Sequence, residues 1–276
     1  MAITAADVNK LRQQTGAGMM DCKNALVEAN GDFEAAIDIL RKKGQKVAAK
    51  RGDNEAKEGF VLAQVTPDHS TGIIFALNCE TDFVAKNETY KSLVESLMNV
   101  AMNNKPASAD EFMKLKFDDK LTVAEKITEQ VGVIGEKLEI TGYGLLKGDG
   151  VVAYNHPGNQ LATLVVVNKN DDNSIEAARQ VAMQVAAMNP IALDKERVDA
   201  HTVEREIEVG KELAIQEGKP ADMAEKIAQG RLNKFFKENT LLSQEFIRDN
   251  KLSVEQFLDS TVKGLKVSDF KRTSLS

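Results

Sequence analysis

The apolar positions of this 276-residue chain switch between two spacings, and the switches divide it into units. Up to about residue 52 the spacing is helical. Val8 and Leu11, with Arg12 beside them, predict a first helix that Gly16 and Gly18 stop. From Asp21 onward, Ala25, Leu26 and Ala29 mark a second helix, ended by Asn30-Gly31. Asp32 then reads as the N-cap of a third helix carrying Phe33, Ala36, Ile37 and Leu40, closed by Lys42, Lys43 and Gly44. Residues 41–58 read as a linker. Their basic cluster lacks interleaved aromatics and runs into acidic residues, so a solvated helix end is expected rather than a nucleic-acid patch.

Beyond the linker the pattern becomes that of strands, and it occurs twice. The first copy has Glu58-Gly59, a strand over 60–65, a turn at Pro67-Asp68-His69-Ser70, a strand over 72–77 and Asn78. A loop and a helix over about 88–103 come next. The second copy has Asp149-Gly150, a strand over 151–154, a turn at His156-Pro157-Gly158-Asn159, a strand over 161–167 and Asn168, then a loop and a helix over 174–188. The acidic-Gly pair precedes the Asn by 20 residues in one copy and 19 in the other. Each copy predicts a hairpin with a helix across one face, burying strand residues against Leu93, Val94 and Leu97 or against Val181 and Val185. A further strand is expected between the lobes at 139–145, after a capping-box helix beginning Thr122-Val123-Ala124-Glu125.

Helical spacing returns at 202–238. Val203, Ile207, Gly210 and Ala214 face Ala224, Ile227, Ala228, Leu232 and Phe235 across Gly218-Lys219-Pro220, which predicts a helical hairpin. Gly210 and Gly230 are both expected to permit close approach of its helices. Ser253 caps a last amphipathic helix. The fold class expected is therefore α+β. It comprises a three-helix domain with linker (1–52), two α/β lobes built on duplicated ββα units (53–145 and 146–201), the hairpin as an antiparallel coiled coil (202–238) and a short C-terminal module (239–276).

The chemistry-bearing candidate is Thr81-Asp82-Phe83-Val84, between the apolar strand and the helix after it. Scaffolds present working residues on such connections. An Asp-Phe pair is also what an N-capping carboxylate beside a core aromatic looks like, and an isolated pair is read that way first. This pair is absent from the second copy, where Lys169-Asn170-Asp171-Asp172 stands instead. Equivalent scaffold positions want equivalent core residues, so the asymmetry favours function over packing.

A second segment points the same way: Leu11-Arg12-Gln13-Gln14-Thr15-Gly16-Ala17-Gly18-Met19-Met20-Asp21-Cys22-Lys23-Asn24-Ala25-Leu26. Together with the Asp-Phe segment, and in order along the chain to about Phe246, it closely resembles the elongation factor Ts family. The resemblance implies an exchange factor that promotes GDP release from elongation factor Tu during translation elongation, binding it both GDP-bound and nucleotide-free. It implies that residues 81–84 enter the partner near its magnesium and phosphate-binding elements, with Phe83 as a wedge and Asp82 disturbing the metal. It also implies an N-terminal ubiquitin-associated-like domain, with Arg12, Met19, Met20 and Lys23 as partner contacts. Met19 and Met20 on residue type alone fit a core equally well. The turn Tyr154-Asn155-His156 resembles the place of a partner-contacting histidine, although Pro157-Gly158-Asn159-Gln160 departs from the glycine-lysine pattern expected there.

Composition narrows the remaining choices. The chain is 42% hydrophobic and 28% charged with a net charge of −6, which argues against nucleic acid as the main ligand. The two cysteines, Cys22 and Cys79, suit reduced thiols rather than a disulfide framework. The start Met1-Ala2-Ile3-Thr4 has no signal-peptide pattern and no run approaches a membrane span, so a soluble cytoplasmic protein is expected. His69, His156 and His201 have no metal-ligand spacing, no phosphate-loop motif occurs, and neither enzyme nor cofactor is expected. Cys79 as a thiol nucleophile would need a histidine supplied from elsewhere in the fold. A passive adaptor working through the three-helix domain is the alternative to exchange, and it would need no Asp-Phe segment.

Overall fold

A computed structural model describes residues 3–275, with backbone alone at 221 and 222; the Met1-Ala2 start and Ser276 lie outside the described residues. The chain runs through α1 (Ala5–Thr15), α2 (Met19–Glu28) and α3 (Phe33–Arg51), then β1 (Glu58–Val65) and β2 (Thr71–Cys79). Four helices come next, α4 (Asp82–Ala85), α5 (Glu88–Asn104), α6 (Ala109–Lys114) and α7 (Val123–Ile134), and then β3 (Glu139–Lys147), β4 (Gly150–Asn155) and β5 (Leu161–Val167). The remainder is α8 (Asp172–Met188), a 3-10 turn at Lys195–Arg197, α9 (Ala200–Gln216), α10 (Ala221–Asn239), β6 (Glu245–Phe246), β7 (Asp249–Ser253), α11 (Val254–Thr261) and β8 (Val267–Ser274). No helix among the described residues is long and apolar enough to cross a membrane.

The first three helices close around Val8, Leu11, Cys22, Ala25, Leu26 and Ala36, all buried. Their ends obey local chemistry. Thr4 and Asp7 form a capping box on α1, Gly16 ends it at φ 70°, and the Asp32 carboxylate accepts from the Ala35 N–H at 3.0 Å. The expected stop at Lys42-Lys43-Gly44 is overturned. Helix α3 passes through Gly44 and ends only at Arg51, 19 residues in all, so most of the expected 41–58 linker is helix, and Val47 and Ala48 pack onto the core of the first sheet. Gly44 is there for packing. A Cβ on it would sit 3.1 Å from the Thr128 carbonyl oxygen, and one on Gly132 of α7 would sit 2.6 Å from the Gly44 Cα. Two glycines let α3 and α7 cross in backbone contact, which joins the three-helix unit directly to the helical cover of the first sheet.

Two three-stranded antiparallel sheets form the centre, in the orders β1-β2-β3 and β4-β5-β8. Strand β2 is buried at every position because both of its faces are covered. Ile73, Phe75 and Leu77 meet Leu93, Val94 and Leu97 of α5 and Val123, Ile127 and Val131 of α7. Ile74 and Ala76, with Val61 and Ala63, face Val151, Ala162, Leu164 and Val166 of the second sheet. The second sheet packs its other face on α8 and α11 through Val165, Val167, Val181, Val185 and Leu258. The layers are thus helices, sheet, sheet, helices.

This arrangement revises two boundaries. Strand β3 is the third strand of the first sheet, paired with β2, rather than a piece between lobes. The C-terminal segment is not a separate module, since β8 pairs with β5 from Leu161↔Ser274 to Val167↔Val267 and completes the second sheet. Each repeat is therefore two strands, inserted helices and a returning third strand. A near-twofold relation shows in the hydrogen bonds that cover the outer strands. The Val61 N–H donates to the Asn159 carbonyl at 2.7 Å, and the Val151 N–H donates to the His69 carbonyl, also at 2.7 Å. His69 and Asn159 hold matching left-handed turns at φ 57° and 53°.

In the hairpin, Gly210, Ala214, Ala224, Ala228 and Leu232 form the seam between α9 and α10, and Lys211–Glu225 and Arg231–Glu217 pair across it at 3.0 and 2.7 Å. A Cβ on Gly210 would lie 3.1 Å from the Ala228 Cα, whereas Gly230 has nothing within 4 Å. Only the first glycine sets the helix approach.

Candidate functional site

Strand β2 ends at Cys79, and the connection after it is itself a helical turn, α4. Thr81, extended at φ −125° and ψ 152°, is its N-cap and receives the Val84 N–H at 3.5 Å. Asp82 is thus not a cap, and the N-cap of α5 is Asn87, whose side chain accepts from the Thr89 N–H at 2.8 Å. The Asp82 carboxylate instead accepts from Lys86 Nζ at 2.6 Å, one turn on, and this bond holds its pKa below the ordinary carboxylate value. Phe83 is 83% exposed, the most exposed large apolar side chain among the described residues. Val84 turns back against the core between the first sheet and its helices. Both halves of the capping-carboxylate and core-aromatic reading fail.

The turn is exposed but firmly based. The Glu136 carboxylate, just past the end of α7, accepts the Glu80 and Thr81 N–H groups, both at 3.0 Å, and the Thr81 hydroxyl at 2.7 Å. In return the Glu80 carboxylate accepts the Lys137 N–H at 2.6 Å, two bonds from Arg51 Nη1 at 2.9 and 2.8 Å, and the Asn54 amide at 3.0 Å. Burial pushes the Glu80 carboxyl pKa up, but Lys137, Arg51 and Asn54 outweigh it and hold the group below its ordinary value. Arg51 is the last residue of α3, so the turn is tied to the ends of both α3 and α7. None of these supports shows in the local sequence, since Glu136 lies 55 residues from Thr81.

Cys79, under the turn, is fully buried, and that burial pushes its thiol up to about 11. A thiol held so strongly protonated is no nucleophile at neutral pH. Among the described residues no group of three His, Cys, Asp or Glu side chains is placed to share a metal ion.

The other sequence candidates fall on two further surfaces. Arg12 on α1 and Met19, Met20 and Lys23 on α2 are all exposed, with Met19 at 47% and Met20 at 65%, so neither methionine is a core residue. Val27, 56% exposed and two helical turns beyond Met20, extends that stripe. It is absent from the sequence-based candidates, though its spacing of seven from Met20 was the available signal. His156 is exposed on the β4–β5 turn, with Nδ1 2.9 Å from the Tyr154 hydroxyl. That turn is fastened to β1. The Asn155 side chain accepts from the Ala63 N–H at 2.8 Å and donates to its carbonyl at 2.9 Å. Helix α4 packs on the same strand, so β1 carries both the Phe83 turn and the His156 turn.

The repeats differ most at this turn. Asn87 lies nine residues after Asn78, whereas the matching N-cap of α8, Asp171, lies three after Asn168. Helix α4 is an addition to the first repeat, with no counterpart in the second.

The sequence model of the family described as Elongation factor TS matches residues 80–276, beginning at the turn's supporting glutamate. Relatives named Elongation factor Ts align along nearly the whole chain. The protein from Cytophaga hutchinsonii is 55% identical over 275 residues, covering 99% of both chains. That from Christiangramia forsetii is 51% identical over 273 residues, covering 99% of this chain and 98% of its own. That from Porphyromonas gingivalis is 49% identical over 276 residues, 100% of this chain and 99% of its own. The chain belongs to the elongation factor Ts family. Membership makes it a translation factor of the nucleotide-exchange type, acting by binding rather than by catalysing a reaction, and implies elongation factor Tu as the protein it acts on.

Proposed function

We propose that the chain releases GDP from elongation factor Tu by inserting the 81–84 turn beside the partner's magnesium and phosphate site. The observation that carries this reading is Phe83, a fully presented aromatic on a turn whose base is held by seven hydrogen bonds to Glu80 and Glu136. An exposed phenyl ring gains free energy only when a partner's apolar pocket covers it. Asp82 beside it is ionised and half-exposed, so by exchanging its Lys86 partner it competes for the magnesium that screens the diphosphate. Arg12, Met19, Met20, Lys23 and His156 supply further partner contacts, and the three helices over 1–52 act as a ubiquitin-associated-like recognition unit. The hairpin over 202–238 holds another surface of the partner.

Exchange of this kind is reciprocal binding. If the chain weakens GDP binding by some factor, GDP weakens the chain's binding by that same factor. A thousandfold effect corresponds to about 4 kcal/mol of coupling. Calorimetry against nucleotide-free and GDP-magnesium-loaded elongation factor Tu tests it. Tight binding to the empty form and displacement by GDP with magnesium are expected. Equal affinity for both forms refutes exchange and leaves the passive adaptor.

A further inference from the structure

We infer that Glu136 is a positioning residue for exchange, and that with Glu80 it forms a reciprocal clasp setting the direction in which Phe83 points. This rests on the release role proposed for the 81–84 turn and names what makes that turn competent.

Helix α4 has four residues, too few to hold its own shape in water, and none of them is fully buried. Its geometry must come from its base. There the two backbone segments trade carboxylates: Glu136 accepts both N–H groups of 80 and 81, while Glu80 accepts the N–H of 137. The Thr81 hydroxyl, which donates to Glu136, is also the acceptor for the Val84 N–H, so the clasp continues into the first turn of α4. Glu136 stands next to Gly135, which ends α7 in a left-handed conformation at φ 81°. A carboxylate at a helix C-terminus faces the negative end of the helix dipole, so nothing in α7 itself favours a glutamate there. The three donors from the turn do. Arg51 closes the far side, so the clasp also registers α3, and with it the three-helix unit, against the Phe83 turn. Presentation of the ring and attachment of the N-terminal surface then share one set of hydrogen bonds.

The test compares release of fluorescent GDP from elongation factor Tu over a range of concentrations of the full chain. Glu136→Ala is expected to lower the maximal release rate about tenfold, as loosening a positioned group does, with the half-saturating concentration within about twofold. Glu136→Gln is expected to stay within about threefold of the parent, since its amide oxygen accepts both N–H groups and its NH2 donates to Thr81 Oγ1. Adding Glu136→Ala to Phe83→Ala is expected to slow release by clearly less than the product of the two single effects, because both act through one turn on which only Asp82 is then left to position. A readout without the partner uses the absence of tryptophan from this chain. In a Phe83→Trp background, Glu136→Ala is expected to lower the fluorescence anisotropy of the single indole. If Glu136→Ala is poorly folded by circular dichroism, Thr81→Val takes its place in each arm, since it keeps the Thr81 N–H bond to Glu136 and removes the hydroxyl that joins Glu136 to the first turn of α4. Unchanged anisotropy, a maximal rate equal to the parent's, or additive slowing in the double variant overturns the positioning role. Parent-like release by Phe83→Ala alone instead refutes the release role of the turn, which separates the two failures.

Discussion

Replacing Phe83 by alanine separates a presented aromatic from a structural one, and burial sets both sides of the comparison. A core phenylalanine costs about 3–5 kcal/mol when truncated to alanine. Phe75 and Phe112 are fully buried and belong to that class, whereas Phe83 is 83% exposed. With about a sixth of its surface covered, its truncation is worth roughly 0.5–0.8 kcal/mol on the same scale. At roughly 2–4 °C per kcal/mol for a domain of this size, Phe83→Ala shifts Tm by about 1–3 °C. Phe75→Ala shifts it by about 6–20 °C by the same conversion. In the complex the balance reverses. Covering a phenyl ring in an apolar pocket is worth about 1.5–3 kcal/mol. If that energy is realised as GDP leaves, its loss slows release by about 10- to 150-fold at ~1.4 kcal/mol per decade. The assay is stopped-flow release of fluorescent GDP from elongation factor Tu at saturating chain, paired with thermal unfolding of the chain alone. Release within twofold of the parent refutes the wedge. A fall in Tm like that of Phe75→Ala refutes the assignment of Phe83 as an exposed probe.

Three further outcomes are expected. Gly132→Ala places a Cβ 2.6 Å from the Gly44 Cα, backbone against backbone, and should destabilise by about 1–3 kcal/mol in thermal unfolding, separating α3 from α7. The Glu80 carboxyl is held below its ordinary value of 4.5 in the folded chain, so its contribution to stability is present above that pH and is lost as pH falls through its folded pKa. Glu80→Gln should therefore flatten the acid limb of a stability–pH profile while lowering stability at neutral pH. Cys22 and Cys79 are both buried with raised thiol pKa values, so at pH 8 a thiol reagent should label neither in the folded chain and both in denaturant.

Features that depend on near neighbours are legible in the sequence alone. Helix starts at Asp32, Thr122 and Ser253 are set by side chains capping N–H groups three residues on, and all three caps are present. The duplicated hairpins were legible because strand, turn and Asn recur at matching intervals. The Asp-Phe turn stood out because it breaks that recurrence, and its exposure comes from being added to a scaffold already complete without it. Tertiary packing settled whatever depends on residues far apart in the chain. Gly44 reads as a helix stop until its partner, Gly132, is found 88 positions away and turns it into a crossing point. Val267–Ser274 reads as a tail until it completes the second sheet beside β5, because an edge strand's pairing partner leaves no local trace. The faces of the two sheets that meet each other carry short apolar residues, such as Ala63, Ala76 and Ala162, whose role appears only when both sheets are in place. The same holds for the turn. Local sequence placed Phe83 between strand and helix, but the Glu80 and Glu136 carboxylates at its base accept N–H groups from each other's segment across 56 and 57 residues of chain, where periodicity and spacing carry no information.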